Sequence, residues 1–397
     1  MNIKLIKSSV RGLKLFKDEK IEINMITTKK VNSEEVEGNV VEHLFGSIYK
    51  QNVLAFAGIN ASGKTTTLKI LTMMLELFIQ NKSLDQVSNG EVFEHFNNQC
   101  TFENVFYWNE QLFELSSTIE RNENGKYIFV AETLKIKKAR GNISKEKLLK
   151  FDDLQPDRTR EDIEKVARGY LRSDSSIFMQ VLLEASMLSG KRYVYDMTGF
   201  TNINVFGTMR NIPAAYIQYL DPTIEEIEFI NPEQSMHFSK MIVKVKFSNE
   251  EIREIPAIDL WKYLSSGTIK GLNLLITIEN VLKTGGYILI DEMENHLNKT
   301  VVITLINLFK SEVNKNNATL IFSTHYSEIL DDIDRSDSIY FSTKENGAIE
   351  LTNLSTFSTR ADKKKSNIYL SGLMGTAPKY KGYVALKKEL MSAMSEE

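Results

Sequence analysis

Apolar residues recur along this chain in three rhythms, and each predicts a different kind of element. Alternation of apolar and polar residues marks Ile3 to Ser8 and Glu19 to Asn24, which read as paired strands with Lys17 and Asp18 supplying part of a turn. It returns at Met241 to Phe247, where Met241, Val243, Val245 and Phe247 share one face. Unbroken apolar runs at Val53 to Ala57, Tyr287 to Ile290 and Thr319 to Phe322 have the character of parallel strands buried on both sides. Helical spacing runs from Thr66 to Gln80 through Leu68, Leu71, Leu75 and Phe78, and again through Ile269, Leu272, Leu275, Ile276 and Ile278. Two further helices are expected between Arg160 and Ser189, on Ile163, Val166, Ala167, Tyr170, Ile177, Val181 and Leu182. Thr101 to Trp108 and Lys126 to Lys137 read as a hairpin around the turn residues Asn122 to Gly125, and Glu225 to Ile230 as a strand. Thr27 to Glu42 is polar enough to read as an exposed loop, and Asn81 to Asn98 as polar and helical at best.

The first apolar run feeds directly into chemistry. After Val53 to Ala57 comes Gly58-Ile59-Asn60-Ala61-Ser62-Gly63-Lys64-Thr65-Thr66, a G-x-x-x-x-G-K-T sequence between a strand and a helix, the context such a loop needs. Gly58 and Gly63 let the backbone turn so that successive N–H groups face one anion-sized hollow, and the helix start adds partial positive charge. Lys64 is placed to reach the β- and γ-phosphates, and the Thr65 hydroxyl to ligate Mg²⁺. Chance supplies these four fixed positions in roughly one chain in a hundred of this length.

A second apolar run ends in Asp291 and Glu292. Adjacent acids at the C-terminal end of a buried strand project where ligands of α/β sheets bind. Asp291 suits Mg²⁺, and Glu292 the base that orients the attacking water. Alone the pair would read as an acidic cap on the helix that follows; beside the phosphate loop the catalytic reading prevails. Ser265, Ser266 and Gly267, about two dozen residues upstream of Asp291, open another helix and form a second anion-binding start. The third run ends in His325, whose imidazole would meet a γ-phosphate or the attacking water. His43, His95 and His237 read as structural.

Together these motifs resemble the ABC-type ATPase superfamily: Walker A at Gly58 to Thr65, signature at Leu264 to Thr268, Walker B at Tyr287 to Asp291, catalytic Glu292 and switch His325. Gly-x-Asn-Ala-Ser-Gly-Lys, Ser-Ser-Gly-Thr and Asp-Glu-x-Glu-Asn-His-Leu are similar to its non-transporter branch, which includes DNA-repair ATPases and the OLD-like ATPases of anti-phage and abortive-infection systems. The tail from Tyr369 to Pro378 also resembles the OLD-like group. The resemblance implies an α/β, P-loop head of mixed sheet and flanking helices, formed by residues 1–82 and 255–397, with an inserted α+β and helical lobe at 83–254. It implies ATP and Mg²⁺ as cofactors and a head-to-tail homodimer or higher homo-oligomer. Each ATP would lie between Walker A of one copy and Ser265 and Gly267 of the other, with His296 a lesser candidate near the seam. Gln99 is the best position for the family's coupling glutamine.

Composition narrows the function. A net charge of −3 gives no general attraction to nucleic acid, so any such contact would rest on local runs, either Lys135, Lys137, Lys138 and Arg140 or Lys363 to Lys365. The single Cys100 excludes disulfides and a zinc hook, and the 170 or so residues between the motif halves contain no long coiled coil. Only 72 residues follow His325, too few for the nuclease domain of OLD enzymes. Met1 to Ile26 has no apolar signal core and no run is long enough to span a membrane, so a cytoplasmic protein is expected. The leading expectation is an ATP-hydrolysing sensor or scaffold of an anti-phage system, similar to the ATPase component of PARIS-type systems, acting with a separately encoded effector; a DNA-binding ATPase of the repair type is the alternative.

Overall fold

In the computed structural model of the chain, residues 2–139, 144–167, 169–189, 193–199, 211–230, 241–357, 364–372 and 380–394 are described. The chain opens with β1 (Lys4–Leu13) and β2 (Lys20–Asn24), antiparallel partners that set Val10 opposite Ile21. The segment read as a loop contains a short helix, α1 (Ser33–Glu37), and leads into the hairpin of β3 (Val41–Phe45) and β4 (Ile48–Gln51). What makes α1 helical is a reciprocal cap: Asn32 Oδ1 accepts the Glu35 N–H while the Glu35 carboxylate accepts that of Asn32. β5 (Val53–Ala57) then passes through the glycine loop into α2 (Lys64–Phe78).

The next strands differ from the expected hairpin. β6 (Phe96–Trp108), β7 (Gln111–Arg121) and β8 (Tyr127–Lys138) form a meander, so the turn at Asn122 to Gly125 joins β7 to β8. The unforeseen turn lies at Asn109 and Glu110, both at positive φ (48° and 58°) with no glycine or proline to announce them. With β9 (Arg158–Thr159), these strands extend the first pair into one sheet ordered β2-β1-β6-β7-β8-β9. This sheet therefore joins strands from both sides of the boundary expected after residue 82. The short α3 (Lys145–Leu148) precedes the two helices foreseen, α4 (Arg160–Ala167) and α5 (Met179–Ser189). Ile177, Val181 and Leu182 are buried, but Val166 and Tyr170 are exposed. Arg160, Ser176 and the Ile177 N–H all donate to the buried Glu132 of β8, which ties this helical stretch to the sheet.

β10 (Val194–Met197) belongs to a second sheet, described below. It precedes a small lobe of α6 (Ala214–Leu220), β11 (Ile224–Ile230), β12 (Ile242–Phe247) and β13 (Arg253–Pro256), whose own core includes Ile217, Ile224, Val243, Val245 and Leu260. Then come α7 (Ser266–Thr284), β14 (Tyr287–Ile290), α8 (Lys299–Phe309), β15 (Thr319–Thr324), β16 (Ile339–Glu345), β17 (Ala348–Asn353), α9 (Lys365–Leu370) and α10 (Tyr380–Ala393). One face of α7 packs Ile269, Leu272 and Ile276 into the lobe, while Leu274, Ile278 and Val281 join the head.

The second sheet runs β10-β14-β15-β5-β16-β17, parallel throughout except at β17. Leu54, Phe56, Leu289 and Ile321 pack with α2 on one face; Val53, Ala55, Ala57, Ile288, Ile290 and Phe322 pack with α7 and α8 on the other. Because both faces are covered, these strands carry no alternation. Their C-terminal ends reach one edge together, delivering Thr198, Asp291, His325 and Gly58 to the same side of the molecule.

Candidate functional site

At that edge the loop from Gly58 to Gly63 turns into α2 with Gly63 at φ +99° and Ala61 at φ +61°. A Cβ on Gly58 would lie 2.4 Å from the Ser342 carbonyl and 2.5 Å from Ser62 Oγ, and one on Gly63 would strike the Ile349 side chain at 2.4 Å. Both glycines are thus fixed by β16 and β17 closing behind the loop, as well as by backbone freedom. Ser342 Oγ donates to the Ser62 carbonyl at 2.8 Å and holds the loop from behind. Asn60, Ala61 and Thr65 face outward, while Ser62 and Lys64 are buried and Thr66 is half-buried.

Lys64 Nζ donates to the carbonyls of Gly58 (2.9 Å) and Ile59 (3.1 Å) and forms no ion pair among the described residues. Burial holds its ammonium below the usual lysine range, against the opposing pull of Glu292, Asp291 and Glu294. Its charge therefore lies within the field of three carboxylates that come from the far half of the sequence. Thr65 Oγ1 donates to Asp291 Oδ2 at 2.6 Å. The other Asp291 oxygen accepts from Ser323 Oγ, and Ser323 Oγ accepts the Glu292 N–H at 2.8 Å. Glu292 is held at φ +47°, and its Oε2 accepts from Asn295 Nδ2 at 2.6 Å.

His325 follows β15 with its side chain about one third exposed. Its backbone N–H donates to Glu294 Oε1 at 2.6 Å, and its Nδ1 lies 2.8 Å from the same oxygen. Ser265 caps α7, its Oγ accepting the Thr268 N–H at 3.0 Å. Ser266 Oγ lies 3.2 Å from His296 Nδ1, and a Cβ on Gly267 would meet the His296 carbonyl at 2.5 Å. Among the described residues no hydrogen bond joins Ser265, Ser266 or Gly267 to the loop at Gly58 to Thr66 of the same chain. The structure therefore brings Lys64, Thr65, Asp291, Glu292 and His325 to one edge, while the helix start at Ser265 meets the acidic segment only at its far end, through His296.

Sequence reasoning missed the residues that hold this set in place: Ser323 between Asp291 and Glu292, Glu294 beside His325, Asn295 on Glu292, and Ser342 behind the loop. Glu294 and Asn295 stood within the quoted motif, but Ser323 and Ser342 carry no local signal. Gln99 is a correction. Its exposed amide on β6 donates to Glu120 Oε1 at 2.7 Å, a cross-strand pair on the antiparallel sheet. The strand end beside Asp291 belongs to β10, where Met197 stands level with Ile290 and Asp196 accepts from Asn89 (2.8 Å) and Thr198 (2.6 Å). Two of the lysines offered to nucleic acid are also spent within the fold. Lys135 Nζ donates to the Phe151 carbonyl, and Lys137 Nζ donates to those of Lys147 and Lys150 while lying 3.8 Å above the Phe151 ring. Arg140, Lys363, His237 and residues 373–378 of the quoted tail lie outside the described residues.

Residues 53–331, more than half of the chain, match the family described as an AAA domain, putative AbiEii toxin of a type IV TA (toxin–antitoxin) system. The chain belongs to this family. As an AAA domain of the putative AbiEii type it is a P-loop ATPase, and its loop, acidic strand and histidine strand all fall within the matched span. Among solved structures it is similar to the SmcHead bound to the C-winged helix domain of ScpA, at 13% identity and TM-score 0.46, covering 89% of this chain and 99% of that one. No curated protein matches it. Among the described residues of this AAA protein no helix is long and apolar enough to cross a membrane.

The residues fit the nucleotide and metal that the family implies. A threonine hydroxyl and a carboxylate oxygen 2.6 Å apart form the hard oxygen pair that suits Mg²⁺. Lys64 holds a positive charge over the loop with only carbonyl partners, which a phosphate can replace.

Proposed function

We propose that the chain binds and hydrolyses ATP as a nucleotide-gated sensor or scaffold of an anti-phage, abortive-infection type of system, with the killing or blocking step carried by a separately encoded effector. The observation that supports it most is the Thr65–Asp291 pair, which joins the phosphate loop to a carboxylate 226 positions away in the sequence. Backbone N–H groups from Asn60 to Thr66 and the Lys64 ammonium would hold the phosphates, and Thr65 and Asp291 the cation. Bound Mg²⁺ supplies charge neutralisation at the phosphate oxygens. Glu292, half-buried and steadied by Asn295, accepts the proton of the attacking water, and His325 contacts the γ-phosphate or that water from the neighbouring strand. Ser265 and Gly267, which make no hydrogen bond with their own loop among the described residues, serve the loop of a second copy in a head-to-tail homodimer. The family's description as a putative toxin of a toxin–antitoxin system supports the defence setting.

Lys64→Ala is expected to abolish nucleotide binding. Glu292→Gln is expected to bind ATP normally, turn over far more slowly and run as a dimer by light scattering when ATP is present. Equal turnover in Glu292→Gln and the wild type removes Glu292 from the role of base. An ATP-loaded Glu292→Gln protein that stays monomeric removes the dimer. The effector is tested by purifying Glu292→Gln with ATP from cells that carry the neighbouring genes; a chain that protects cells with those genes deleted overturns the two-component reading.

A further inference from the structure

The carboxylate of Glu294 is a costly group to bury. Its side chain has no exposed surface, its Oε2 has no hydrogen-bond partner, and no lysine or arginine pairs with it among the described residues. A buried carboxylate without a cation is destabilising unless something else fixes it there. Its environment is otherwise closed. α9 packs beside it through Tyr369, whose phenol is pushed up to about 12 by burial and by the Glu294 charge. Among the described residues the carboxylate accepts one hydrogen bond, from the His325 backbone N–H to Oε1 at 2.6 Å; His325 Nδ1 lies 2.8 Å from the same oxygen but, like Oε2, is left without a hydrogen-bond partner.

We propose that Glu294 is a positioning residue for His325. With Nδ1 already 2.8 Å away, a small turn of the ring lets Oε1 take the Nδ1 proton, which fixes the imidazole in the tautomer whose proton sits on Nδ1 and leaves Nε2, on the opposite side of the ring, to accept from the attacking water. The backbone contact to the same oxygen fixes the ring's origin as well as its tautomer. Glu294 does not touch the nucleotide and acts only through the ring. The proposal rests on the reading that His325 serves the hydrolysis site, and the test separates the two.

Three single variants and one double are compared: Glu294→Leu, Glu294→Gln, His325→Ala and Glu294→Leu/His325→Ala. Turnover, ATP affinity by fluorescent-analogue titration, and nitrogen spectra of protein labelled in its five histidines are measured on each. His325→Ala assigns the ring signals. Glu294→Leu is expected to lower kcat by about tenfold or more with ATP affinity within about twofold of wild type. Glu294→Gln, whose amide oxygen can still accept both protons, is expected to recover most of that loss. The double variant is expected to be no slower than His325→Ala. In the spectra, wild type and Glu294→Gln show a protonated Nδ1 and an unprotonated Nε2, and Glu294→Leu shows mixed tautomers. If Glu294→Leu turns over at the wild-type rate while His325→Ala does not, or if the two losses multiply in the double variant, the positioning role is overturned. If His325→Ala itself keeps wild-type turnover, the reading of His325 fails. The spectra then still decide whether Glu294 sets the tautomer, and a wild-type Nδ1 without its proton overturns that as well. Glu294→Gln, close in shape to the native side chain, keeps the comparison valid should Glu294→Leu fold poorly.

Discussion

Removing one hydroxyl, Ser323→Ala, should separate the charged heart of the site from its scaffold. Ser323 is fully buried, its Oγ donates to one Asp291 oxygen and accepts the Glu292 N–H at 2.8 Å, so the substitution strands two groups at once. A hydrogen bond to a charged acceptor contributes about 1.5–3 kcal/mol, and a buried N–H left without a partner costs about 1–3 kcal/mol. Some relief comes from Thr65, which still donates to the other Asp291 oxygen. The expected net loss is about 3 kcal/mol of stability. Ser342→Ala is the internal control: it removes one neutral bond, to the Ser62 carbonyl at 2.8 Å, and should cost about 1 kcal/mol. Urea unfolding of both variants at one pH measures the difference, and ATPase assays should show Ser323→Ala slower by about tenfold to a hundredfold, since Glu292 loses its anchor. A Ser323→Ala protein as stable as Ser342→Ala, with wild-type turnover, would refute the placing of Ser323 at the centre of the acidic pair.

Other consequences can be checked separately. Gly58→Ala places a Cβ 2.4 Å from the Ser342 carbonyl, so the loop must shift at a cost of about 1–3 kcal/mol; ATP affinity measured by titration should fall by about tenfold or more. Lys50 lies fully buried between Glu42 (3.4 Å) and Thr319 (2.7 Å), and burial lowers its pKa to about 8 from an ordinary 10.5. Between pH 8 and 10.5 the unfolded chain holds the extra proton, so this group makes the protein more stable as pH rises through that window, by an amount on the order of 3 kcal/mol at full span. Lys50→Met, which leaves Glu42 paired with Lys4, should flatten the rise in urea-unfolding free energy between pH 8 and 9.5; an unchanged slope rejects the assignment.

The chemistry was more legible than the architecture, for a physical reason. Lys64 and Thr65 belong to a loop whose backbone alone makes the anion site, and Asp291 and Glu292 end a strand whose apolar run fixes where they emerge. Both are local properties, readable within ten residues. Ser323 and Ser342 became site residues only because β15 and β16 flank β5 in the sheet, and strand order is not written in any one segment. β7 stayed hidden because its entry turn uses Asn109 and Glu110 in a left-handed conformation. The joining of strands across residue 82 was hidden for a related reason. Phe96 to Lys138 carries no mark of which sheet it will join, and pairing with β1 across nearly a hundred residues decides it.

The six residues after β14 show how one short segment supports several partners at once. Asp291 turns to Thr65 and Ser323, Glu292 to Asn295, Glu294 to His325, and His296 to Ser266. Regular helix or strand geometry would repeat its directions every turn or every second residue and could not spread consecutive side chains this way. The chain breaks regularity twice, at Glu292 (φ +47°) and His296 (φ +66°), each costing about 1 kcal/mol for a residue with a side chain. The strain is countered locally: Ser323 holds the Glu292 amide, and the His296 carbonyl packs against Gly267, where any Cβ would collide. That second contact reaches the start of α7, the surface that would serve a second copy in the proposed dimer. A shift of Glu292 would reach Asn295 through its hydrogen bond, and the neighbouring His296 would pass it to Ser266, so in the proposed dimer the state of one ATP site would be felt at the other.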